Sequence, residues 1–282
     1  AESIPDLVDD ADLIVCAVKP QNLDSTFYQE FTSGNIRSDA TLLSIVAGKP
    51  IQSFLTGAAP KLTKVARSMP NTPAQIGKGV TVWSCTPNVT TEERGRIKQV
   101  LDCFGKTIFV DDENFIDMST SISGSGPAYI YMLMEAMIDA GVHMGFSRDT
   151  AQTLVHHTLL GSTLYAMESG EHPAILRNSV TSPAGTTASA MYELENGKFR
   201  TVIKDAVWAC YRRSLEMGGH DSNVGPGRVS MPLPSFLPPS PSGSSPSSMM
   251  STTHHPIEAP TGEMEIDENG SSDDHDEKMT KK

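Results

Sequence analysis

With 282 residues the chain is long enough for two packed domains. A net charge of −12 with no clustered basic face excludes electrostatic capture of nucleic acid, and no apolar run reaches the roughly 18 residues of a membrane-spanning helix. Cys16, Cys85, Cys103 and Cys210 lie far apart and form no C-x-x-C pair, so no metal site is expected and each thiol is read as buried and reduced.

The chain opens at Ala1 with neither Met nor a signal-peptide pattern, and this start reads as a fragment of a longer protein. Reduced thiols point to the cytoplasm, with a lost leader as the alternative. Residues 1–112 alternate strand and helix signals. The apolar run 13–18 has the composition of a strand buried on both faces, and strands are also expected at 41–46, 61–66, 79–84 and 107–110. Thr90 is placed to cap a helix ending near Phe104. This alternation predicts a parallel sheet flanked by helices.

Residues 113–219 hold no strand signal. Apolar and small residues recur at helical spacing in three sets, running from Ile130 to Gly141, from Ala151 to Ser162 and from Phe199 to Cys210. Each stripe is expected to bury one face of a helical bundle. Some stripes have apolar residues on a second face, as in an intertwined dimer, and an ordinary monomeric bundle is the alternative. Pro127 and Pro183 are each expected in the first turn of a helix, and Gly197 and Gly218 at helix ends. Residues 220–282 carry nine of the 19 prolines, 12 serines and half of the net charge. That composition predicts a disordered tail, with His254 and His255 solvated rather than metal-bound.

A parallel sheet binds ligands beyond the carboxyl ends of its strands. Two segments stand there: 15–20 (VCAVKP) and 45–48 (IVAG), whose Gly48 permits close backbone approach to a flat ring. Taken locally, the two segments read first as plain strand-to-helix turns. No G-x-G-x-x-G phosphate loop follows a strand; the nearest string, Gly124 to Tyr129, ends in Tyr and reads as the start of a helix at Pro127. The second candidate is the segment 178–187 (NSVTSPAGTT). Ser182 can cap a helix, Gly185 bares the backbone, and Thr186 and Thr187 add hydroxyls where free amides favour an anion, a carboxylate above all. A plain capped turn is the alternative. The carboxylates Asp111, Asp112, Glu113 and Asp117 read as a charged loop at a domain junction, and His143, His156, His157 and His172 have no acid–base companion.

Four strings in order, 17–20 (AVKP), 67–74 (RSMPNTPA), 123–129 (SGSGPAY) and 182–187 (SPAGTT) followed by 197–200 (GKFR), resemble pyrroline-5-carboxylate reductases along residues 11–217. The resemblance implies an incomplete Rossmann α/β domain followed by an all-α domain that interlocks with a second subunit. It implies NADPH- or NADH-dependent reduction of 1-pyrroline-5-carboxylate to L-proline. By position, Ala17, Val18, Lys19, Pro20, Ile45, Val46 and Ala47 would line the nicotinamide, with Glu113 and Ser179 near the cleft. Ser182, Gly185, Thr186 and Thr187 would hold the substrate, with Thr187 at the ring nitrogen as the catalytic hydroxyl. The chain departs from the family at the missing first strand and glycine-rich loop, whose loss is expected to weaken cofactor binding and impair activity, at Ala184 in place of a glycine, and in its long tail. Two rival readings are a hydroxy-acid dehydrogenase of the same superfamily using Lys204 and Asn196, and a non-catalytic helical assembly remnant.

Overall fold

The structure is a computed structural model that describes residues 3–227. The expected tail beyond residue 227, with His254 and His255, lies outside the described residues. Helix α1 (Ile4–Val8) leads into strand β1 (Leu13–Cys16), followed by α2 (Ser25–Ser33), β2 (Thr41–Ser44), α3 (Ile51–Gly57), β3 (Lys64–Met69), β4 (Gly79–Cys85), α4 (Thr91–Asp102) and β5 (Gly105–Phe109). The strands form one sheet in the order β1-β2-β3-β4-β5.

The expectation of a wholly parallel sheet fails at one junction. β3 and β4 pair antiparallel, while the other three pairs are parallel. The link 70–78 holds only a short 3₁₀ turn, Thr72–Ile76, and a parallel crossover needs a dozen or more residues. β3 also begins three residues later than expected, at Lys64, because Lys61 and Leu62 close a turn onto the carbonyl of Ala58.

Side-chain alternation explains why the strands read as continuous apolar runs. Leu42 packs with Val8, Ile14, Phe31, Phe54 and Val65 on one face of the sheet. Its neighbour Leu43 packs with Ala66, Trp83, Ile97 and Leu101 on the other. Each of these two leucines, 1% exposed, contributes about 2 kcal/mol of burial. β1 departs from the two-sided burial expected of it. Ile14 and Cys16 are buried, but Val15 is 49% exposed and borders a cavity that Val100 and Leu101 of α4 line on its other side. Cys16 is the one cysteine that is buried as expected; Cys85 and Cys210 are half-buried and Cys103 is exposed on the surface end of α4.

Thr90 caps α4 as its sequence predicts. Its hydroxyl accepts from the Glu93 amide while Glu93 accepts from the Thr90 amide, a reciprocal box. Glu93 also receives Lys64 Nζ at 2.6 Å. The Lys64 bond, helped by the Thr90 groups, holds the Glu93 carboxyl below its ordinary range despite partial burial. A carboxylate lowered in the folded state stabilises above its unfolded value, about pH 4.3, and that contribution is lost as pH falls through the lower folded value. Glu93→Gln is therefore expected to flatten the acid limb of a plot of thermal midpoint against pH below about pH 4.3, while Asn88→Ala leaves its slope unchanged. An unaltered limb in Glu93→Gln would show that the pair contributes nothing.

Between residues 113 and 218 the chain is helical: α5 (Asn114–Ser119), a π-turn at Thr120–Gly124, α6 (Gly126–His143), α7 (Arg148–Ser169), α8 (Pro173–Ser179), α9 (Thr186–Asn196) and α10 (Phe199–Gly218). Pro127 sits in the first turn of α6, and Gly197 caps α9, as expected. α6 and α7 pair through Ile138, Ala151 and Val155, with Met134 and Leu159 partly covered. The expectation that every stripe is buried does not hold in one copy of the chain. Leu154, Val202 and Ile203 are exposed, as are Tyr165 and Met132. The long helices present these apolar faces with no covering element among the described residues. Among the described residues no helix is long and apolar enough to cross a membrane.

Candidate functional site

Parallel pairing of β1 with β2 places their carboxyl ends at one edge of the sheet. Cys16 is opposite Ser44, and the Ile45 amide donates to the Cys16 carbonyl at 3.0 Å. Ala17–Pro20 and Ile45–Ala47 therefore emerge side by side. Ala17 and Lys19 are exposed, Val18, Pro20, Ile45 and Ala47 half-buried, and Val46 buried. An apolar cavity of about 330 Å³ adjoins this edge, bordered by Val15, Leu43, Ile45, Pro70, Ala74 and Phe104.

Gly48 behaves differently from its expected part. It has φ +66°, and a Cβ there would lie 2.7 Å from Met217 Cβ. The close approach that glycine permits is thus taken up by the end of α10 rather than left open for a ring.

A buried ion cluster underlies the same edge. Arg67 is 2% exposed, in the middle of β3. Its Nη2 donates to Asp117 Oδ1 at 2.8 Å and its Nη1 to Asp117 Oδ2 at 3.1 Å and Glu113 Oε1 at 2.9 Å. Ser214 of α10 donates to Asp117 Oδ1 at 2.8 Å. The Ile51 amide, at the start of α3, donates to Glu113 Oε1 at 2.8 Å. Burial raises the Tyr211 hydroxyl above its ordinary range, with the charges of Asp117 and Asp112 adding to the effect. Asp117, expected in a charged loop at a domain junction, lies instead within α5 and is 1% exposed. The signal was available: a lone Arg in an otherwise apolar or small run, VARSM, needs a buried carboxylate, and Glu113 and Asp117 are spaced four apart on one helical face. Asn71 adds a further tie, donating to the Ser123 carbonyl at 3.1 Å.

The second group of expected residues lies elsewhere. The Ser179 hydroxyl donates to the Leu176 carbonyl within α8. Ser182 does not cap a helix, and Pro183 lies in a turn three residues ahead of α9 rather than in its first turn. Gly185 is the N-cap; its amide donates to the Ser182 carbonyl at 3.1 Å, and a Cβ on it would lie 2.5 Å from Ser182 Oγ. No side chain caps α9, so the first-turn amides of Thr186 and Thr187 have no partner among the described residues and present donors to an anion. Thr186 is exposed and Thr187 half-buried. α9 packs on α10, and no hydrogen bond among the described residues joins 179–187 to the strand tips. One copy of the chain therefore brings Ala17–Pro20, Ile45–Ala47 and Glu113 to one edge and leaves Ser179, Ser182, Gly185, Thr186 and Thr187 on another element.

Ala184 has φ +56°, the left-handed region in which a methyl group is strained. Ala184→Gly is expected to raise unfolding stability by about 1 kcal/mol, read from the urea midpoint. An unchanged or lower midpoint would show that the bend carries no strain.

Comparison with known proteins places this architecture. The family model for pyrroline-5-carboxylate reductase dimerisation matches residues 113–217. The pyrroline-5-carboxylate reductase of Pisum sativum is 38% identical over 212 residues, which span 75% of this chain and 76% of that protein. The Escherichia coli enzyme of the same name is 37% identical over 77% of this chain and 79% of its own length. The crystal structure of Plasmodium falciparum pyrroline carboxylate reductase with NADP bound superimposes with a TM-score of 0.72 at 32% identity, covering 77% of this chain and 81% of that one. The uncovered apolar faces of α7 and α10 fall inside the matched dimerisation segment, and the chain self-associates through it. Sheet, helices and strand-tip motifs agree on one conclusion: the chain belongs to the pyrroline-5-carboxylate reductase family.

Proposed function

We propose that this protein reduces 1-pyrroline-5-carboxylate to L-proline with NADPH or NADH. The observation carrying the reading is that the likeness to the reductases runs through both the sheet and the helical region, 212 residues at 38% identity. The apolar edge formed by Ala17, Val18, Pro20, Ile45 and Ala47 suits the flat face of a nicotinamide, with Lys19 exposed beside it. No G-x-G-x-x-G loop is present in the 282 residues, so the fit concerns the nicotinamide end. Bound there, the cofactor supplies hydride.

The remaining work belongs to the chain. The open amides of Thr186 and Thr187 would hold the substrate carboxylate, in a bend whose shape Ser182 and Gly185 set. The Thr187 hydroxyl would hold the proton at the ring nitrogen. Glu113 and Ser179 would border the cleft. A protonated cyclic imine is already electrophilic, so alignment of the reactants is the main requirement, and alignment can supply roughly 7–11 kcal/mol. The bend would reach the strand tips of a second copy, which accounts for its separation from them in one chain. In this reading, residues 1–112 bind cofactor, 113–219 bind substrate and pair subunits, and 220–282 form an appended tail.

The test is substrate choice. The protein is expected to oxidise NADPH on addition of pyrroline carboxylate, with kcat/KM at least 10²-fold above the reverse reaction with any small hydroxy acid and NADP, because only the imine places a nitrogen at Thr187. Equal or better turnover of a hydroxy acid would overturn the assignment.

A further inference from the structure

The turn 45–51, which carries the proposed nicotinamide edge, is held from below at two points. Gly48 is wedged against Met217, and the Ile51 amide is fixed by Glu113 Oε1. Both anchors lead to the same cation. Glu113 Oε1 is also the acceptor for Arg67, and Asp117, the other partner of Arg67, holds Ser214 one turn before Met217 on α10. The start of the turn is fixed by the same stretch of β3, since Ser68 Oγ donates to the Ser44 carbonyl and Ser44 Oγ accepts from the Val46 amide.

The stoichiometry sets this cluster apart from an ordinary structural pair. Asp117 alone satisfies the guanidinium fork in bidentate fashion, both groups being 2% exposed, and balances its charge. Glu113 is a second carboxylate, 29% exposed, that the charge balance of Arg67 does not require. Its bonded oxygen serves Arg67 and Ile51 together, while Oε2 has no partner among the described residues.

We infer that Arg67 is a positioning residue for the reaction: through Glu113 it sets the conformation of the 45–51 turn, and so the affinity for nicotinamide. This rests on the reductase reading above. The Arg67–Asp117 pair secures the fold, and the Arg67–Glu113–Ile51 link shapes the turn.

The two roles separate experimentally. Glu113→Ala leaves the Arg67–Asp117 pair intact, so the thermal midpoint is expected to change little. Amide hydrogen exchange in 46–53 is expected to accelerate roughly tenfold with exchange in β5 and α6 unchanged, and the NADPH dissociation constant, from nicotinamide fluorescence, to rise roughly fivefold to tenfold. Glu113→Gln keeps an acceptor for Ile51 and is expected to restore both readings to within about twofold of the parent. Arg67→Lys, which keeps the charge but loses the fork, is expected to accelerate exchange at 46–53, and to add less than its single effect when combined with Glu113→Ala. The inference is overturned if Glu113→Ala leaves exchange and affinity within twofold of the parent. It is equally overturned if exchange rises throughout the molecule together with a fall in midpoint, which marks a structural role alone. If the unaltered protein fails to bind NADPH at millimolar concentration, the reductase reading falls and the inference with it; unaffected variants of a binding protein overturn only the inference.

Discussion

Arg67→Met is expected to lower the thermal midpoint by on the order of 10 °C. Removing the guanidinium strands Asp117 in a site 1% exposed and leaves Glu113 with no cation beside it. Breaking a buried pair by deleting one partner costs about 3–5 kcal/mol, and a domain of this size loses roughly 2–4 °C for each of these. The cause is isolation of charge rather than loss of volume. Arg67→Met combined with Asp117→Leu is therefore expected to recover part of the fall, since apolar replacement of a whole buried pair is often neutral. Calorimetric scans of the two variants decide the matter. A shift under about 2 °C in the single variant, or a double variant worse than the sum of its parts, would refute the assignment of Arg67 as the electrostatic centre of the core.

Thr187→Ala is expected to lower kcat/KM for pyrroline carboxylate by roughly 10²-fold, the scale of one hydrogen bond that strengthens in the transition state. The Thr187 side chain makes no hydrogen bond among the described residues and is half-buried, so the midpoint is expected to stay within about 2 °C, as for a surface substitution. Thr187→Ser keeps the hydroxyl and is expected to retain most activity, whereas Thr186→Ala, on the exposed neighbour, is expected to act mainly on KM. Steady-state kinetics of the three variants separate these roles. Unchanged kcat/KM in Thr187→Ala would remove that hydroxyl from the mechanism.

The parts of the fold legible in the sequence were those governed by local chemistry. The Thr90–Glu93 box, the Pro127 start of α6 and the continuous run of β2 each depend on residues within one turn or one strand. The departures lie where distant segments decide. β3 starts at Lys64 because Lys61 and Leu62 bond back to Ala58, and β4 reverses direction because the link before it is short. Val15 is 49% exposed, since which strand face is covered is decided by distant elements that no strand pattern encodes.

The candidate site divides the same way. That the segments 17–20 and 45–47 emerge side by side was legible because parallel strands end at one edge, and Ala184, which stands where the family has a glycine, has a positive φ. The pairing of Arg67 with Asp117 spans 50 positions, and Asp117 taken with its acidic neighbours read as part of a charged loop at a domain junction. Pro183 was misplaced because the dipeptide Ser-Pro suits the N-terminus of a helix as well as the turn that precedes one.

The bare apolar flanks of α7 and α10 carry a thermodynamic consequence. A helical half that acquires its missing interior only from another copy has a folding equilibrium of second order in protein, so its stability has no value independent of dilution. At scarcity the sheet half retains its own two-faced core while the helical half loosens, and the molecule then melts in two stages where a concentrated sample melts in one.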